Sequence, residues 1–207
     1  MYLSKLTLDP RHAQARRDLG DAYEMHRTLA RAFAPDADTP PARFLWRLER
    51  RADFQPSTVM LVQSEQIADW TVLDILGGYA TEIRGNKPVD LDKLVQPNAR
   101  YRFRLLANPT VTRAGKRYGL TREEEQLAWL SRQGERHGFT VLACERSASE
   151  RLQVRQRRTG HRITVDAALF EGVLEAVAPD ILRQSMLHGF GHGRAFGLGL
   201  LSLARVA

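Results

Sequence analysis

The order of strand-like and helix-like segments limits the fold of this chain more than any other feature. Alternating apolar residues indicate strands, and apolar residues three or four positions apart indicate helices. By these criteria the first half predicts a strand, a helix, two strands, a short helix and an irregular strand. The segments are Tyr2–Leu8, Asp21–Phe33, Phe44–Glu49, Thr58–Gln63, Asp69–Leu76 and a stretch that Gly85–Pro88 interrupts.

The second half repeats this order without visible sequence identity. Thr121 and Glu124 fit a capping box for its first helix, which Gly134 is placed to close. Two runs of strand, helix, two strands, helix and strand predict an α+β protein with two tandem ferredoxin-like (RRM-like) domains, residues 1–96 and 97–207. The other segments of the second half are Arg100–Leu106, Thr140–Ala143, Leu152–Gln156, Arg162–Asp166, Phe170–Val177, a helix from Pro179 to Gly189, and Leu198–Val206.

Composition narrows the class of protein further. The 207 residues include 31 Lys and Arg against 24 Asp and Glu, and the resulting formal net charge of +7 favours a polyanionic partner. The single cysteine, Cys144, excludes a disulfide framework and any site that needs several thiolates. No apolar stretch approaches the roughly 20 residues of a membrane-spanning helix, and no signal peptide is evident. We therefore expect a soluble cytoplasmic protein with no membrane partner.

Three arginines alternate with apolar residues at the start of the second half. Arg100, Arg102 and Arg104 are separated by Tyr101 and Phe103. Because successive side chains of a strand point to opposite faces, the three guanidinium groups are expected on one face of a sheet. This face is either a solvated outer surface or a surface that binds an anion.

A second basic element is predicted between the alternating segments Leu152–Gln156 and Arg162–Asp166. Gly160 can adopt the positive φ of a tight turn, so the two segments predict a β-hairpin. Basic side chains near its tip suit phosphate contacts with RNA or DNA, and a solvated turn is the alternative. These side chains are Arg155, Arg157, Arg158, His161 and Arg162.

Five glycines lie within the eleven residues Gly189–Gly199. Such a segment lets backbone N–H groups approach phosphate oxygens, and Gly191, His192, Gly193 and Arg194 are the candidate binding residues. ATP or NAD is not expected here, because the segment follows a helix, enters a strand and has no Walker lysine. His188, which precedes this segment, and His192 are not expected to bind a metal, since the glycines disfavour a helix and no third ligand is evident. A tight structural turn is the alternative.

The first predicted helix begins with Asp21 as its N-cap. Its apolar stripe includes Met25 and Leu29, and Tyr23 and His26 lie on one flank of that stripe. One interpretation is that His26 is a satisfied core residue. The other is catalytic, because an imidazole can accept a proton near neutral pH and a tyrosine hydroxyl one turn away can donate a hydrogen bond.

Seven blocks in order along nearly the whole chain resemble the CasE/Cse3 family of CRISPR RNA-processing endoribonucleases of type I-E Cascade complexes. The blocks are Met1–Leu6, Tyr23–Leu29, Phe44–Glu49, Phe103–Pro109, Glu124–Leu130, Phe170–Gly172 and Gly191–Leu203. The resemblance implies two ferredoxin-like domains and cleavage of the repeat stem-loop of precursor CRISPR RNA, without a metal ion or cofactor. It also implies that the protein stays bound to the guide RNA together with other Cascade subunits.

The resemblance also implies a reaction and the residues that perform it. The ribose 2′-hydroxyl attacks the adjacent phosphate and leaves a 2′,3′-cyclic phosphate (or a 3′-phosphate) and a 5′-hydroxyl. The family's catalytic histidine and tyrosine map onto His26 and Tyr23, and the assignment of acid and base between them is open. Arg27 or Arg31 is expected to stabilise the charged phosphate.

The same resemblance assigns RNA binding to the hairpin Arg155–Arg162 and the segment Gly189–Gly199. The loop Arg113–Arg117 is either a further RNA contact or a solvated loop.

Two other functions share some of these features. A non-cleaving assembly subunit that binds the RNA hairpin needs the basic hairpin but not Tyr23 with His26. An adaptor for an acidic protein or a membrane surface accounts for the net charge alone.

Overall fold

The structure, a computed structural model, describes residues 1–34, 36, 38–50, 56–155 and 162–206. The chain divides into two compact units. Met1–Val89, the described residues of Val154–Ile163 and Ala195–Gly197 belong to the first unit, whereas Asp90–Gln153, Thr164–Arg194 and the residues from Leu198 onward form the second. The domain boundary placed after residue 96 stays a prediction.

The first unit has a four-stranded sheet in the order β2-β3-β1-β4. The pairs β1–β3, β1–β4 and β2–β3 are all antiparallel, and helices connect β1 to β2 and β3 to β4, which is the ferredoxin-like arrangement. The elements in chain order are β1 (Tyr2–Leu8), α1 (Ala13–Gly20), α2 (Ala22–Ala30), a 3₁₀ turn (Arg31–Phe33), β2 (Phe44–Arg50), β3 (Pro56–Ser64), a 3₁₀ helix (Trp70–Leu76) and β4 (Ala80–Pro88).

The core of this unit follows from the two sequence periodicities. Alternation on β1 places Leu6 and Leu8 inward, where both are fully buried. The apolar stripe of α2 places Met25 and Leu29 in the same cluster, and Trp46 joins it from β2. These burials confirm the strand prediction for Tyr2–Leu8 and the orientation predicted for the α2 stripe.

Helix α1 is absent from the sequence-based predictions because it has almost no apolar stripe; only Ala15 and Asp18 are buried within it. A buried polar network holds it instead. The Asp18 carboxylate accepts hydrogen bonds from Thr28 Oγ1 at 2.7 Å and from the Tyr79 hydroxyl at 2.9 Å. Bonds to a charged acceptor are roughly twice as strong as neutral ones, so the network fixes α1 against α2.

The second unit repeats the arrangement with the sheet order β10-β5-β9-β8. The pairs β5–β9 and β5–β10 are antiparallel. Both units therefore confirm the predicted ferredoxin-like fold class. The elements are α3 (Leu91–Leu94), β5 (Arg100–Ala107), β6 (Thr110–Arg113), β7 (Lys116–Gly119), α4 (Glu123–His137), β8 (Phe139–Arg155), β9 (Arg162–Ala176), α5 (Pro179–His188), a 3₁₀ turn (Arg194–Phe196) and β10 (Leu201–Arg205).

Helix α4 differs from its prediction at both ends. Its N-cap is Arg122, with no side-chain cap, so the predicted capping box is wrong. The helix continues past Gly134 to His137 and ends at Gly138, whose left-handed φ of 78° suits a helix terminus. Gly134 serves packing instead, since a Cβ there would lie 2.5 Å from the carbonyl oxygen of Phe139.

Strands β8 and β9 are longer than predicted. The segments predicted as separate strands merge into one strand of 17 residues and one of 15. Four consecutive buried residues of β9, Ala167–Phe170, conceal the alternation because both faces of the strand are covered there. Gly172 allows close approach of the neighbouring strand, since a Cβ would collide with the carbonyl oxygen of Ala143.

A small hairpin replaces the loop predicted at Arg113–Arg117. Strands β6 and β7 pair antiparallel, with Thr110 opposite Gly119 and Arg113 opposite Lys116. The two turn residues, Ala114 and Gly115, have φ values of 48° and 74°. Two consecutive positive φ angles match the tight turn whose twist suits a hairpin.

Two further side chains of the second unit have altered acidities. His137 joins α4 to α5, with Nδ1 2.8 Å from Ser185 Oγ and Nε2 3.2 Å from Gln133 Oε1, and burial lowers its pKa. Cys144 lies half-buried on β8, where burial and then the charge of Glu145 raise the pKa of its thiol to about 11.

Within the described residues, no helix combines the length and apolar character required to cross a bilayer.

Candidate functional site

The predicted pair Tyr23 and His26 lies on the first turns of α2. Asp21 caps this helix by accepting the backbone N–H of Tyr23 at 2.9 Å, as predicted. Both residues are half-buried, so neither is fully enclosed in the core. A spacing of three residues places them on one flank of the helix, one turn apart.

Aromatic packing fixes the His26 ring. It stacks on Phe44 of β2, with ring centroids 4.8 Å apart and planes 16° from parallel. Phe44 in turn stacks on Phe33 at 4.5 Å, and Phe33 meets Trp70 edge to face at 5.9 Å. Offset-stacked and edge-to-face pairs are the favourable aromatic geometries, so this chain of rings gives the imidazole a defined orientation.

The same packing disfavours the protonated, charged form of the His26 ring. Its Nδ1 is enclosed and has no hydrogen-bond partner among the described residues. A protonated imidazole carries N–H on both nitrogens, so protonation would leave a charged, enclosed N–H without an acceptor. Burial accordingly lowers the pKa of His26 from its ordinary value near 6.5. The ring is therefore neutral at pH 7.

Arg27 and Arg31 lie one turn apart along α2 and the following 3₁₀ turn, and their charges have different surroundings. Arg27 donates to the buried carboxylate of Glu24 at 2.8 Å, and Arg17 lies 3.3 Å from the same carboxylate. The exposed side chain of Arg31 has no hydrogen bond or ion pair within the described part of the chain. Arg31 is thus the guanidinium with free donors, while Glu24 orients Arg27.

Both arginines line a cleft of about 340 Å³ in the first unit. Asp36 and Thr39 stand in the same cleft, where Asp36 accepts hydrogen bonds from the Thr39 hydroxyl and backbone and from the backbone of Asp38. These bonds lower the pKa of Asp36. The sequence did not predict this cleft, because part of its wall is the loop that follows the 3₁₀ turn after α2. Its lining residues are Arg27, Ala30, Arg31, Ala34, Asp36, Thr39, Pro41 and Val72.

The glycine-rich segment belongs mainly to the second unit and folds back on the end of β5. The Phe190 N–H donates to the carbonyl of Gly199 at 2.9 Å, and the Gly199 N–H donates to the carbonyl of Leu106 at 2.7 Å. His192 forms an isolated antiparallel bridge with Asn108. The segment is therefore anchored at both ends and presents its middle residues at the surface.

Glycine is required at two of these positions for reasons of space as well as conformation. Gly199 has φ of 90°, and a Cβ there would lie 2.5 Å from the carbonyl oxygen of Phe190. Gly191 has φ of 69° and packs against Trp129, which a Cβ would approach to 3.2 Å. These contacts agree with the alternative interpretation, in which the segment is a tight structural turn. They do not cover the exposed side of the segment, which stays available for the predicted binding residues.

Of the four residues predicted to bind RNA in this segment, His192 and Arg194 are exposed, and Gly191 and Gly193 are half-buried. Partial burial, followed by the positive charges of Arg117 and Arg194, lowers the pKa of His192. His188 Nδ1 is occupied by the Gln184 carbonyl at 2.7 Å. No group of three or more His, Cys, Asp or Glu side chains is placed to hold a metal ion among the described residues.

The basic hairpin predicted from the sequence is only partly described. Arg155 ends β8 and Arg162 begins β9, and these two strands are neighbours in the sheet. The tip residues Arg157, Arg158 and His161 lie outside the described residues. That β8 ends at Arg155 and its sheet neighbour β9 begins at Arg162 agrees with the hairpin prediction, and the phosphate contacts of all five side chains stay predictions.

The predicted arginine row on β5 lies on one face, as expected, but most of its charge is compensated. Arg100 pairs with Glu175 at 3.2 Å and Arg104 with Glu171 at 2.6 Å, both across the β5–β9 ladder. Arg102 is exposed and makes no ion pair within the described residues. Opposite charges facing each other across strands stabilise a sheet, so this surface matches the solvated face of the two interpretations better than a cationic stripe.

Family and sequence relatives cover almost the whole chain. A family model described as CRISPR associated protein matches residues 1–205. The CRISPR-associated endoribonuclease Cse3 of Thermus thermophilus is 41% identical over 216 residues, covering 99% of this chain and 100% of that protein. The CRISPR system Cascade subunit CasE of Escherichia coli is 30% identical, covering 99% of each.

Solved structures agree with the sequence relatives. The CRISPR endoribonuclease Cse3 bound to 19 nt RNA matches with a TM-score of 0.87 and 41% identity, over 99% of this chain and 100% of that one. Thermus thermophilus Cse3 bound to an RNA representing a pre-cleavage complex matches with a TM-score of 0.83 and 40% identity, over 98% of each. A chain of a CRISPR RNA-guided surveillance complex matches over 100% of each at 0.71 and 27%.

Proposed function

Because this chain belongs to the CasE/Cse3 family of CRISPR-associated proteins, we propose that it is an endoribonuclease that cleaves the repeat stem-loop of precursor CRISPR RNA. The relative with 41% identity is named an endoribonuclease, and related structures hold RNA in a pre-cleavage state. At the site itself, the observation that carries the proposal is the half-buried pair Tyr23 and His26 on a capped helix, with Arg27 on the same helix and Arg31 on the 3₁₀ turn that follows it.

His26 acts as the general base in this proposal. Its imidazole is neutral at pH 7, and with Nδ1 enclosed, Nε2 is the nitrogen that exchanges a proton with the substrate. Nε2 accepts the proton of the ribose 2′-hydroxyl while the 2′-oxygen forms a bond to phosphorus. The bond from phosphorus to the 5′-oxygen breaks, which leaves a 2′,3′-cyclic phosphate and a 5′-hydroxyl. A positioned base of this kind contributes about 10²- to 10⁴-fold to the rate.

Tyr23 is the proposed proton donor to the leaving 5′-oxygen. Tyr23 lies one helical turn from His26 on the same flank of α2, so the two side chains are proposed to reach the same phosphate. The proton that His26 gains and the proton that Tyr23 gives leave the overall charge of the site unchanged. This arrangement requires neither a metal ion nor a cofactor.

The cleft beside α2 supplies the electrostatic part of the mechanism. Negative charge increases on the non-bridging phosphate oxygens as the fifth bond to phosphorus forms. Arg31, whose guanidinium is free within the described residues, is the proposed donor to these oxygens, and Arg27 assists from the position that Glu24 gives it. Charge-assisted donors that are already oriented stabilise the transition state more than the ground state.

The basic hairpin and the glycine-rich segment are proposed to bind the RNA stem. The predicted contacts are the hairpin residues Arg155, Arg157, Arg158, His161 and Arg162 and the segment residues Gly191, His192, Gly193 and Arg194. After cleavage the protein remains on the guide RNA and joins other Cascade subunits, as the matched chain of a surveillance complex supports. We place this activity in the cytoplasm, where such an RNA would be processed.

The test is cleavage of candidate repeat hairpins in EDTA, followed by identification of the product ends. We expect cutting with a 2′,3′-cyclic phosphate and a 5′-hydroxyl, blocked by one 2′-deoxy substitution at the scissile nucleotide. His26→Ala is expected to abolish cutting and retain binding, while His188→Asn, an exposed histidine on α5, serves as the matched control. RNA that is bound but never cut would identify a non-cleaving assembly subunit instead.

A further inference from the structure

The hairpin β6–β7 presents an unusual concentration of charge for its size. All four residues of β7, Lys116–Gly119, are exposed, as is Arg113 across the turn. Tyr118 is 49% exposed, and it is one of seven large apolar residues exposed to solvent among the described residues. Three cations and one aromatic ring therefore occupy the final few residues of a two-stranded element.

No carboxylate of the described residues forms an ion pair with these cations. Arg113, Lys116 and Arg117 make no ion pair or side-chain hydrogen bond with the described part of the chain. The carboxylate that stands beside this hairpin, Asp166 next to Gly119, is already paired with Arg151 at 2.9 Å. This contrasts with the arginine row on β5, where Glu171 and Glu175 compensate two of the three charges.

The hairpin starts where the glycine-rich segment is anchored. Asn108 bridges to His192, and β6 begins two residues later at Thr110. The Leu120 N–H closes the base of the hairpin on the carbonyl of Pro109 at 2.9 Å. Arg117 lies near enough to His192 to affect its protonation, as Arg194 does. The hairpin cations thus continue the surface of the segment proposed to bind RNA.

An exposed aromatic ring beside unpaired cations has a specific chemistry. Cations track phosphates, while an aromatic face stacks on bases, and a base offers its face only where it is unpaired. Resting on the proposed function, we propose that β6–β7 binds the single-stranded RNA that flanks the stem-loop. Arg113, Lys116 and Arg117 contact its phosphates, and Tyr118 stacks on one of its bases.

The proposal separates two contributions that can be measured independently. Each phosphate contact of a single strand contributes about 0.7 to the slope of log affinity against log salt. Replacing the three cations by glutamine is therefore expected to reduce that slope by about 2. Stacking on a single base predicts that Tyr118→Ser weakens binding roughly 5- to 150-fold, whereas Tyr118→Phe, which keeps the ring, retains the affinity.

The experiment uses two RNAs, the repeat stem-loop with its single-stranded flanks and the same stem-loop without them. Binding of the full chain is measured across a salt series for the wild type, the triple Arg113→Gln, Lys116→Gln, Arg117→Gln variant, the two Tyr118 variants and a control, Lys93→Gln. Lys93 is an exposed cation on α3, outside the proposed surface. We expect losses only for the flanked RNA, with the control unchanged.

Three results would overturn the inference. Equal losses for both RNAs would place the hairpin on the stem, and unchanged affinity for both would remove it from RNA binding. Unchanged RNA binding combined with failure to assemble with other Cascade subunits would make the hairpin a protein contact. In each case the wild type still cuts the stem-loop, so failure of the inference is distinguishable from failure of the proposed function, in which the wild type cuts nothing.

Discussion

The imidazole of His26 lies between the flank of α2 and the ring of Phe44, with Nδ1 enclosed. This environment selects the neutral form of the ring, because the apolar neighbours cannot solvate a charge. A neutral imidazole is the form that a general base needs at physiological pH. The apolar packing at this position thus supports the proposed chemistry as directly as the polar groups do.

The pH dependence of cleavage tests this residue-scale argument. With His26 as base and its pKa lowered by burial, the single-turnover rate is expected to rise with pH on the acid side and to reach its plateau at a lower pH than a base with the ordinary histidine pKa would. His188→Asn is expected to leave the profile unchanged. A rate that instead falls as the pH rises through this range would show that His26 acts as the acid.

Residue-scale prediction from the sequence succeeds where helical periodicity alone decides position. The spacing of Tyr23 and His26 and the cap at Asp21 are local, and the structure reproduces both. The stacking of His26 on Phe44 joins residues from different elements, so no local pattern encodes it. The orientation of Arg27 depends on its ion pair with Glu24, whose burial the sequence pattern does not reveal.

At the scale of elements, close contact between β8 and β9 depends on a residue without a side chain. Gly172 lies against the backbone of Ala143 and Cys144 on the neighbouring strand. Both strands run without interruption through this region, so the contact is part of the sheet that supports the predicted RNA-binding hairpin. Small residues in strands often mark such close approach of two backbones.

Gly172→Ala is therefore expected to destabilise the second unit. Overpacking of this kind costs about 1–3 kcal/mol, which corresponds to a melting temperature roughly 2–12 °C lower for a chain of this size. Gly20→Ala is the matched control, because that glycine lies in α1 with no atom within 4 Å of the added methyl. Equal melting temperatures of the Gly172 variant and the wild type would contradict the packing argument.

Elements in which buried and exposed residues follow a regular period were predictable from the sequence, and elements without that period were not. The strand β1 and the helix α5 alternate or repeat cleanly, and their predicted ranges agree with the structure. Helix α1 is held by buried polar groups, β9 is covered on both faces, and the hairpin β6–β7 is almost wholly exposed. Each of these conditions removes the contrast between apolar and polar positions on which periodicity depends.

At the scale of the whole molecule, the repeated order of elements was enough to predict both sheets. Two ferredoxin-like units arise because each run of six elements can bury its helices on one face of one sheet. Charge was a weaker guide. The basic residues include arginines on β5 that glutamates compensate and cations on the hairpin β6–β7 without an ion pair in the described part of the chain, and composition cannot distinguish the two.

Histidine burial predicts how the stability of the folded chain depends on pH. His26, His137 and His192 all have pKa values lowered first by burial. Between those lowered values and 6.5 the unfolded chain binds more protons than the folded one, so the free energy of unfolding falls as the pH drops through 6.5. Asp36 and Asp90, with pKa values below the ordinary 3.8, act only at more acidic pH.

Urea unfolding at pH 7.5 and pH 5.5 measures this effect. We expect lower stability at pH 5.5, with a smaller difference for His26→Phe, which removes one of the three groups and keeps an aromatic ring on Phe44. His188→Asn is expected to retain the wild-type difference. Equal stability at the two pH values would show that histidine burial does not govern the acid response.

The single thiol on β8 has a practical consequence for experiments on this protein. Only the thiolate form of a cysteine reacts readily with maleimides, and Cys144, with a pKa of about 11, is almost entirely protonated at neutral pH. A second cysteine introduced at an exposed position would therefore accept a fluorophore selectively. Distances from the dye to labelled RNA could then be followed without first removing the natural cysteine.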